Sequence, residues 1–301
     1  MSSEPDSLSA PSSFRTSSQS SEPGTLYVVA TPIGNLDDMT FRAVQILQTV
    51  DRIAAEDTRH TGRLLQHFQV KTPQISYHEH NQHQRVGEMV EKLQQGGSLA
   101  LVTDAGMPCI SDPGYELVRA CVAAQIPVVP IPGCSAVITA LSAAGLPTDR
   151  FVFEGFLPVK GQDRATRLSA LTAEVRTIVL YESPHRLQQT LQDLAHTLGK
   201  DRPIVLAREL TKLHEEFWRG SLEAAIALYE IREPRGEFTL VVGGFVAPAV
   251  NLSPAVLKDE LRDLILGGMT RSQASRHLAK LTSIPRQQLY QIALQLTVSS
   301  E

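Results

Sequence analysis

Leu101-Val102-Thr103-Asp104-Ala105-Gly106-Met107-Pro108-Cys109-Ile110-Ser111-Asp112-Pro113-Gly114 is the stretch on which the reading of this chain turns. An aliphatic run breaks into a loop holding two Asp, two Gly, two Pro and a Ser, and a helical pattern begins at Tyr115. Strand, loop and helix in that order are half of a βαβ unit, and function gathers on such loops because a rigid scaffold holds them. Asp112 and Pro113 suit the cap and first position of the coming helix. Asp104 has no such local duty, which points it towards a ligand.

The same alternation runs outward in both directions. Short β-branched and aliphatic runs lie at Leu26–Ala30, Arg52–Ala55, Ser98–Thr103 and Pro127–Ile131. Helical spacing fills the gaps at Phe41–Val50, His60–Phe68, Gln84–Gln95, Tyr115–Ala124 and Ser135–Ala144. Strands separated by helices predict crossover connections and a mostly parallel sheet. After Gly145-Leu146-Pro147 the pattern resumes. Strands are expected near Phe151–Gly155, Thr177–Tyr181, Ile204–Ala207 and Phe238–Val242, with helices near Gln162–Ala173, His185–Leu198 and Leu222–Ile231. The expected organisation is an α/β domain over 24–147, a second over 148–247 and a small basic helical domain over 255–297.

The two ends have a different texture. Residues 1–23 hold ten Ser and only four apolar residues, too few to offset the entropy of ordering, so they read as a disordered tail. They lack the apolar core of a secretory signal. At the other end a linker from Pro248 to Pro254 precedes three short helical patterns, Val256–Leu266, Arg271–Leu281 and Pro285–Leu296. No acidic residue occurs from Leu264 to Ser300, and Ser272, Arg276 and Lys280 share one helical stripe beside a Gly267-Gly268 turn. That suits either a solvated helical face or an RNA-contacting helix-turn-helix appendage.

Composition excludes several classes. The chain has 301 residues, 42% of them hydrophobic, and a net charge of −4. It is too apolar for a disordered protein, and no apolar run approaches the roughly 18 residues of a membrane span. Three cysteines fit no paired redox or metal spacing, and a reduced cytoplasmic setting follows. His78, His80 and His83 read as a surface cluster, so no metal is expected.

Further loops at strand ends converge on one cleft, because ligands in open α/β sheets lie beyond the carboxyl ends of strands. Ala30-Thr31-Pro32-Ile33-Gly34-Asn35 ends the first strand, and Ile131-Pro132-Gly133-Cys134-Ser135-Ala136 joins a later strand to a helix. Neither is a phosphate-binding or dinucleotide fingerprint. In the second half Tyr181-Glu182-Ser183-Pro184-His185-Arg186 and Arg208-Glu209-Leu210-Thr211-Lys212 follow strands. Their cations suit phosphate contacts, since Arg forks match phosphate oxygens.

Taken with Glu56-Asp57-Thr58-Arg59, these loops in this order resemble the tetrapyrrole (corrin/porphyrin) methylase superfamily over about residues 24–245. Gly155-Phe156-Leu157-Pro158 with Lys160, and the loops at Glu182–Arg186 and Arg208–Lys212, resemble its branch that methylates the ribose 2′-oxygen of one cytidine in 16S ribosomal RNA. Porphyrin-type members carry a Gly-Pro-Gly-type first loop where this chain has Thr31-Pro32-Ile33-Gly34. The resemblance implies two α/β domains with S-adenosylmethionine between them, held near Pro32, Asp104, Ala105, Gly106, Ile110, Ser135, Ala136, Tyr181, Glu182 and Thr239. It also implies a homodimer, and 16S rRNA of the small ribosomal subunit as partner.

Methyl transfer is an in-line displacement, so alignment is the main task, and a base or a nearby cation helps a weakly acidic hydroxyl react. Glu182 or Asp57 is the expected base and Lys212 the electrostatic partner. Arg59, Lys160, Arg164, Arg186, Arg208, Lys212, Arg271, Arg276 and Lys280 form the expected RNA-binding set. Two rivals stand beside this reading: methylation of a tetrapyrrole carbon or nitrogen, and a non-enzymatic cofactor-sensing RNA binder.

Overall fold

The computed structural model describes residues 24–246, 253–282 and 284–296. The expected tail at 1–23 and most of the expected linker at 248–254 lie outside them. Contacts divide the chain into a unit ending at Phe245 and a second beginning at Val246.

The first unit opens with a five-stranded parallel sheet. Its strands are β1 (Leu26–Val29), β2 (Arg52–Ala55), β3 (Gln74–Ser76), β4 (Leu99–Val102) and β5 (Val128–Ile131), in the order β3-β2-β4-β1-β5. Both faces are covered by helices, so β1 and β4 are apolar throughout and wholly buried. α1 (Phe41–Thr49) and α2 (Thr58–His67) join the first three strands, α3 (Gln82–Gln94) leads to β4, and α4 (Tyr115–Ala123) leads to β5. α5 (Ala136–Ala144) follows β5 and ends on Gly145 in the left-handed conformation. β3, with only Ile75 among its three residues apolar, carried too little signal to be expected from sequence.

The second sheet corrects the expectation of continued parallel pairing. It contains β6 (Phe151–Phe156), β7 (Thr177–Glu182), β8 (Pro203–Arg208), β9 (Glu216–Ser221) and β10 (Phe238–Val242), in the order β6-β7-β10-β8-β9. Only β6 and β7 are parallel; β10 runs antiparallel between β7 and β8, and β9 pairs antiparallel with β8. The strand-helix rhythm persists because α6 (Gly161–Ala170), α7 (Pro184–Leu198) and α8 (Leu222–Ile231) still separate strands. The last strand returns inside the sheet instead of at its edge. β9 was missed because Glu216-Phe217-Trp218-Arg219 mixes charge with aromatics on a half-exposed edge.

Two packings position the site. α5 lies on the second sheet, where Val137, Ala140 and Leu141 share a core with Val179, Val205 and Val241. The last helix of the first half therefore fastens the two sheets together. Register then sets Phe238 of β10 opposite both Glu182 of β7 and Arg208 of β8, so three strand ends meet at one edge.

The second unit holds α9 (Pro254–Leu266), α10 (Arg271–Leu281) and α11 (Arg286–Leu294) around Leu257, Leu261, Leu278 and Leu289. Thr270 and Gln273 close a capping box at the start of α10. Arg276 and Lys280 are exposed, while Arg271 donates to the Leu296 carbonyl at 3.1 Å. Among the described residues, no helix is long and apolar enough to cross a membrane.

Candidate active site

The carboxyl ends of β1, β4 and β5 meet the strand ends of the second sheet around a cavity of ≈ 380 Å³, within the range of small-molecule clefts. On the first side its wall is made by Ile33, Ala105, Gly106, Ile110, Asp112 and Ser135. On the second side it is made by Phe156, Tyr181, Glu182, Leu210, Glu237 and Thr239.

The first-side loops are tied by backbone bonds. Thr31 and Gly106 exchange N–H···O bonds of 2.9 and 3.1 Å, and the Thr31 hydroxyl donates to the Thr103 carbonyl at 3.0 Å. Gly106 holds φ +80, where a side chain would be strained. Ser135 opens α5 without a side-chain capping bond. Two non-glycine residues on the long loop, Cys109 and Ser111, have φ of 72 and 63, an uncommon and costly conformation.

Asp112 does not do what its sequence context suggested. The cap of α4 is Gly114, without a side-chain bond, and the Asp112 carboxyl instead stands in the cavity wall. Burial, then the nearby charge of Glu56, push its pKa up to about 7. Asp104 stands apart. It has a local duty, accepting the Asp57 N–H at 3.2 Å, and it does not line the cavity. Burial and Glu56 raise its pKa as well. Pro32 is buried one residue short of the wall, and its neighbour Ile33 takes the place expected of it. The structure does bring together Ala105, Gly106, Ile110, Ser135, Ala136, Tyr181, Glu182 and Thr239 at the cavity.

The candidate bases fare differently. Asp57 caps α2 and grips Arg59, whose guanidinium hydrogen bond at 2.8 Å holds its carboxyl far below the usual carboxylate range. A carboxylate so stabilised is a weak proton acceptor. Glu182 is buried, with both oxygens engaged: Oε2 accepts from the Thr190 hydroxyl at 2.6 Å and Oε1 from the Ser183 N–H at 2.8 Å. Arg186 Nε stands 3.6 Å from Oε1. Lys212 Nζ lies 2.9 Å from both Glu209 and Glu237. Burial works against its charge, but hydrogen bonds to those two carboxylates outweigh this and hold its pKa up.

The arginines of the second half are similarly committed. Arg164 is buried, 2.7 Å from Asp193, and donates to Thr190 Oγ1 and the Pro158 carbonyl. Arg186 donates to the carbonyls of Leu157 and Pro158. Arg208 donates to the Arg235 carbonyl and stands 3.6 Å from Glu216. Arg164 and Arg208 thus make internal contacts, Arg164 with three partners and Arg208 with two. Lys160 is exposed, and the Arg59 side chain is 88% exposed.

Gly34 is where the two sides touch. A Cβ there would lie 2.9 Å from the Leu210 carbonyl and 2.5 Å from Lys212 Cγ. Opposite it, Glu209 and Thr211 carry φ of 51 and 64.

Comparison with known proteins gives this arrangement its class. The sequence model of the Tetrapyrrole (Corrin/Porphyrin) Methylases matches residues 25–226, and the chain belongs to that family. Curated relatives narrow it further. The chain is 60% identical over 274 residues, 91% of its length and 98% of the relative's, to a Synechocystis protein named Ribosomal RNA small subunit methyltransferase I. It is 49% identical to the protein of that name from Escherichia coli O157:H7, over 90% of this chain and 95% of that one. Among solved structures, the methyltransferase CobJ aligns with a TM-score of 0.56 at 19% identity, covering 75% of this chain and 98% of that one. Uroporphyrin-III C-methyltransferase from Thermus thermophilus, complexed with S-adenosyl homocysteine, aligns at 0.53 and 16%, covering 73% and 97%.

Proposed function

We propose that this chain is an S-adenosylmethionine-dependent ribosomal RNA methyltransferase that methylates the ribose 2′-oxygen of a cytidine in 16S rRNA of the small subunit. The observation that carries the reading is 60% identity, across nearly the whole of both chains, to a protein named as a small-subunit ribosomal RNA methyltransferase. The tetrapyrrole enzymes share the fold at only 16–19% identity, and so speak for the scaffold and not for the substrate. The cytoplasm, where rRNA is transcribed, is the proposed location, and a homodimer the proposed assembly.

The cavity suits the donor. It is large enough for a nucleoside with a short amino-acid arm, it is walled by Ile33, Ile110, Leu210 and Phe156, and the acidic residues Asp112 and Glu182 belong to its wall. S-adenosylmethionine, when bound, supplies a methyl group on a positively charged sulfur. Ala105 and Gly106 bring the backbone close to the ligand, Ser135 and Ala136 supply the opening turn of α5, and Tyr181 and Thr239 complete the wall. Acidic groups in a low-dielectric cleft favour a cationic ligand.

For RNA, Arg59 and Lys160 are exposed cations of the first unit, and Arg276 and Lys280 are exposed cations of the second. Single-stranded RNA presents phosphates and splayed bases to such residues. Lys212, with Glu209 and Glu237, holds the rim of the cleft.

Methyl-tritiated donor incubated with small-subunit particles from cells lacking the protein tests this directly. Label is expected in 16S rRNA, on a ribose, with none passed to a uroporphyrinogen substrate. Label in the tetrapyrrole and none in RNA would overturn the reading.

A further inference from the structure

We propose that Asp112 accepts the proton of the substrate hydroxyl as the methyl group is transferred. The inference rests on the rRNA ribose reading above and adds the group that performs the proton transfer. In the step, the hydroxyl O–H bond breaks as the new O–C bond forms, and the proton passes to the Asp112 carboxylate. The electron pair of the C–S bond stays on sulfur, so the sulfonium leaves as a neutral thioether and charge balances.

Four observations converge. First, Asp112 stands in the cavity wall and is relieved of helix capping by Gly114. Second, the loop is held in an unfavourable shape on either side of it. Ser111 and Cys109 are left-handed, and a Cβ on Gly114 would lie 2.6 Å from Cys109 Sγ and 2.8 Å from Leu101 Cδ2. Strain of this kind persists only where surrounding structure enforces it, and it gathers at functional sites.

Third, the other carboxylates near the cleft are committed. Asp57 is paired with Arg59, Glu182 has both oxygens bonded, and Glu237 is paired with Lys212. Glu56 accepts the Thr103 hydroxyl at 2.6 Å and the Asp104 N–H at 3.3 Å. Fourth, the charged and titratable groups that act on or feel Asp112 are Glu56 at the end of β2, Asp104 after β4, Cys109 on its own loop and Tyr181 on β7. None of these is a cation. A carboxyl held near neutrality by burial and like charge is suited to take and release a proton at working pH.

The test uses the full-length protein, tritiated S-adenosylmethionine and small-subunit particles lacking the modification. Single-turnover rates are followed from about pH 5.5 to about pH 9 for wild type, D112N and D112E. Wild type is expected to gain rate with pH to a plateau above an apparent pKa near 7. D112N should lose that limb and at least about 100-fold in rate, within the usual range for a general base, while binding of S-adenosylhomocysteine changes less than about threefold. D112E should recover part of the rate and restore a pH limb at a shifted position. A D112N rate within about threefold of wild type would overturn the proposal, as would parallel loss of rate and ligand affinity, which would make Asp112 a counter-charge only. Should D112N fail to fold, the wild-type pH profile and D112E decide: a flat profile with D112E at full rate also overturns it. Whether wild type labels rRNA at all gauges the function reading separately, since the Asp112 claim rests on ratios between variants.

Discussion

The two sides of the cleft solve different problems. On the second side several charges have partners: Glu182 with Thr190 and Arg186, Arg164 with Asp193, Lys212 with Glu209 and Glu237, Arg208 with Glu216. On the first side loops are held by backbone bonds and close packing at Thr31, Gly106 and Gly114, and the carboxyls of Glu56, Asp104 and Asp112 crowd one another with no arginine or lysine acting on Asp104 or Asp112. Paired charges give shape, because their donors and acceptors are satisfied within the fold. Crowded, unpaired carboxyls store electrostatic free energy that a cationic ligand or a proton releases. The comparison assigns scaffold to one side and chemistry to the other.

It can be broken in several ways. The largest effect is expected at the seam. Substitution G34V puts a branched side chain where even a lone Cβ would lie 2.9 Å from the Leu210 carbonyl, and so forces the two sides apart. Methyl transfer should fall by about 100-fold while far-UV circular dichroism stays unchanged, because displacement of about 1 Å costs that much in aligned reactions. Near-wild-type turnover would show that the seam does not set alignment.

Next comes R164A, which leaves Asp193 and Thr190 without their shared partner. Urea unfolding should show a loss of about 3 kcal/mol, as for other broken buried ion pairs. Transfer by the folded fraction should drop only a few-fold. A collapse in rate with full stability would place chemistry on the second side.

A smaller effect concerns pH. The folded-state pKa of Asp112, about 7, lies above its unfolded value of 3.8. The stability it contributes is therefore full below about pH 4 and is lost as pH rises through 7. D112N removes that loss, so in ligand-free protein its melting temperature relative to wild type should rise between about pH 5 and pH 8. A constant difference would mean that Asp112 is ionised throughout.

The smallest effect is expected for single cations of the helical unit. R276A or K280A should lower the slope of log affinity against log salt by about 1 each, whereas R208A should leave the slope unchanged. Equal slopes for all three would remove the distinction between exposed and committed cations.

Much of the first sheet was legible because parallel strands buried on both faces read as continuous aliphatic runs, as Leu99–Val102 does. The order of the second sheet was not, since helices separate its strands just as they do in a parallel fold, and β10 reveals its direction only through its partners. Eight of the expected ligand positions do line the cavity: five follow strands of the first sheet, whose carboxyl ends share an edge, and Tyr181, Glu182 and Thr239 lie on strands of the second. Asp112 was missed as a chemical group because Asp-Pro-Gly before a helix is also a capping signal, and only the structure moves the cap to Gly114. Arg164 and Arg208 looked like phosphate ligands because their partners, Asp193 and Glu216, come from elsewhere in the sequence.

A crystal structure of the full chain with S-adenosylhomocysteine tests the central claim most directly. The account predicts the nucleoside between the Ala105–Gly106 loop and Tyr181–Thr239, with the thioether sulfur facing open space beside the Asp112 carboxyl. Density for the nucleoside outside this cleft, or a sulfur turned towards the paired charges of Glu182 and Lys212, would contradict it.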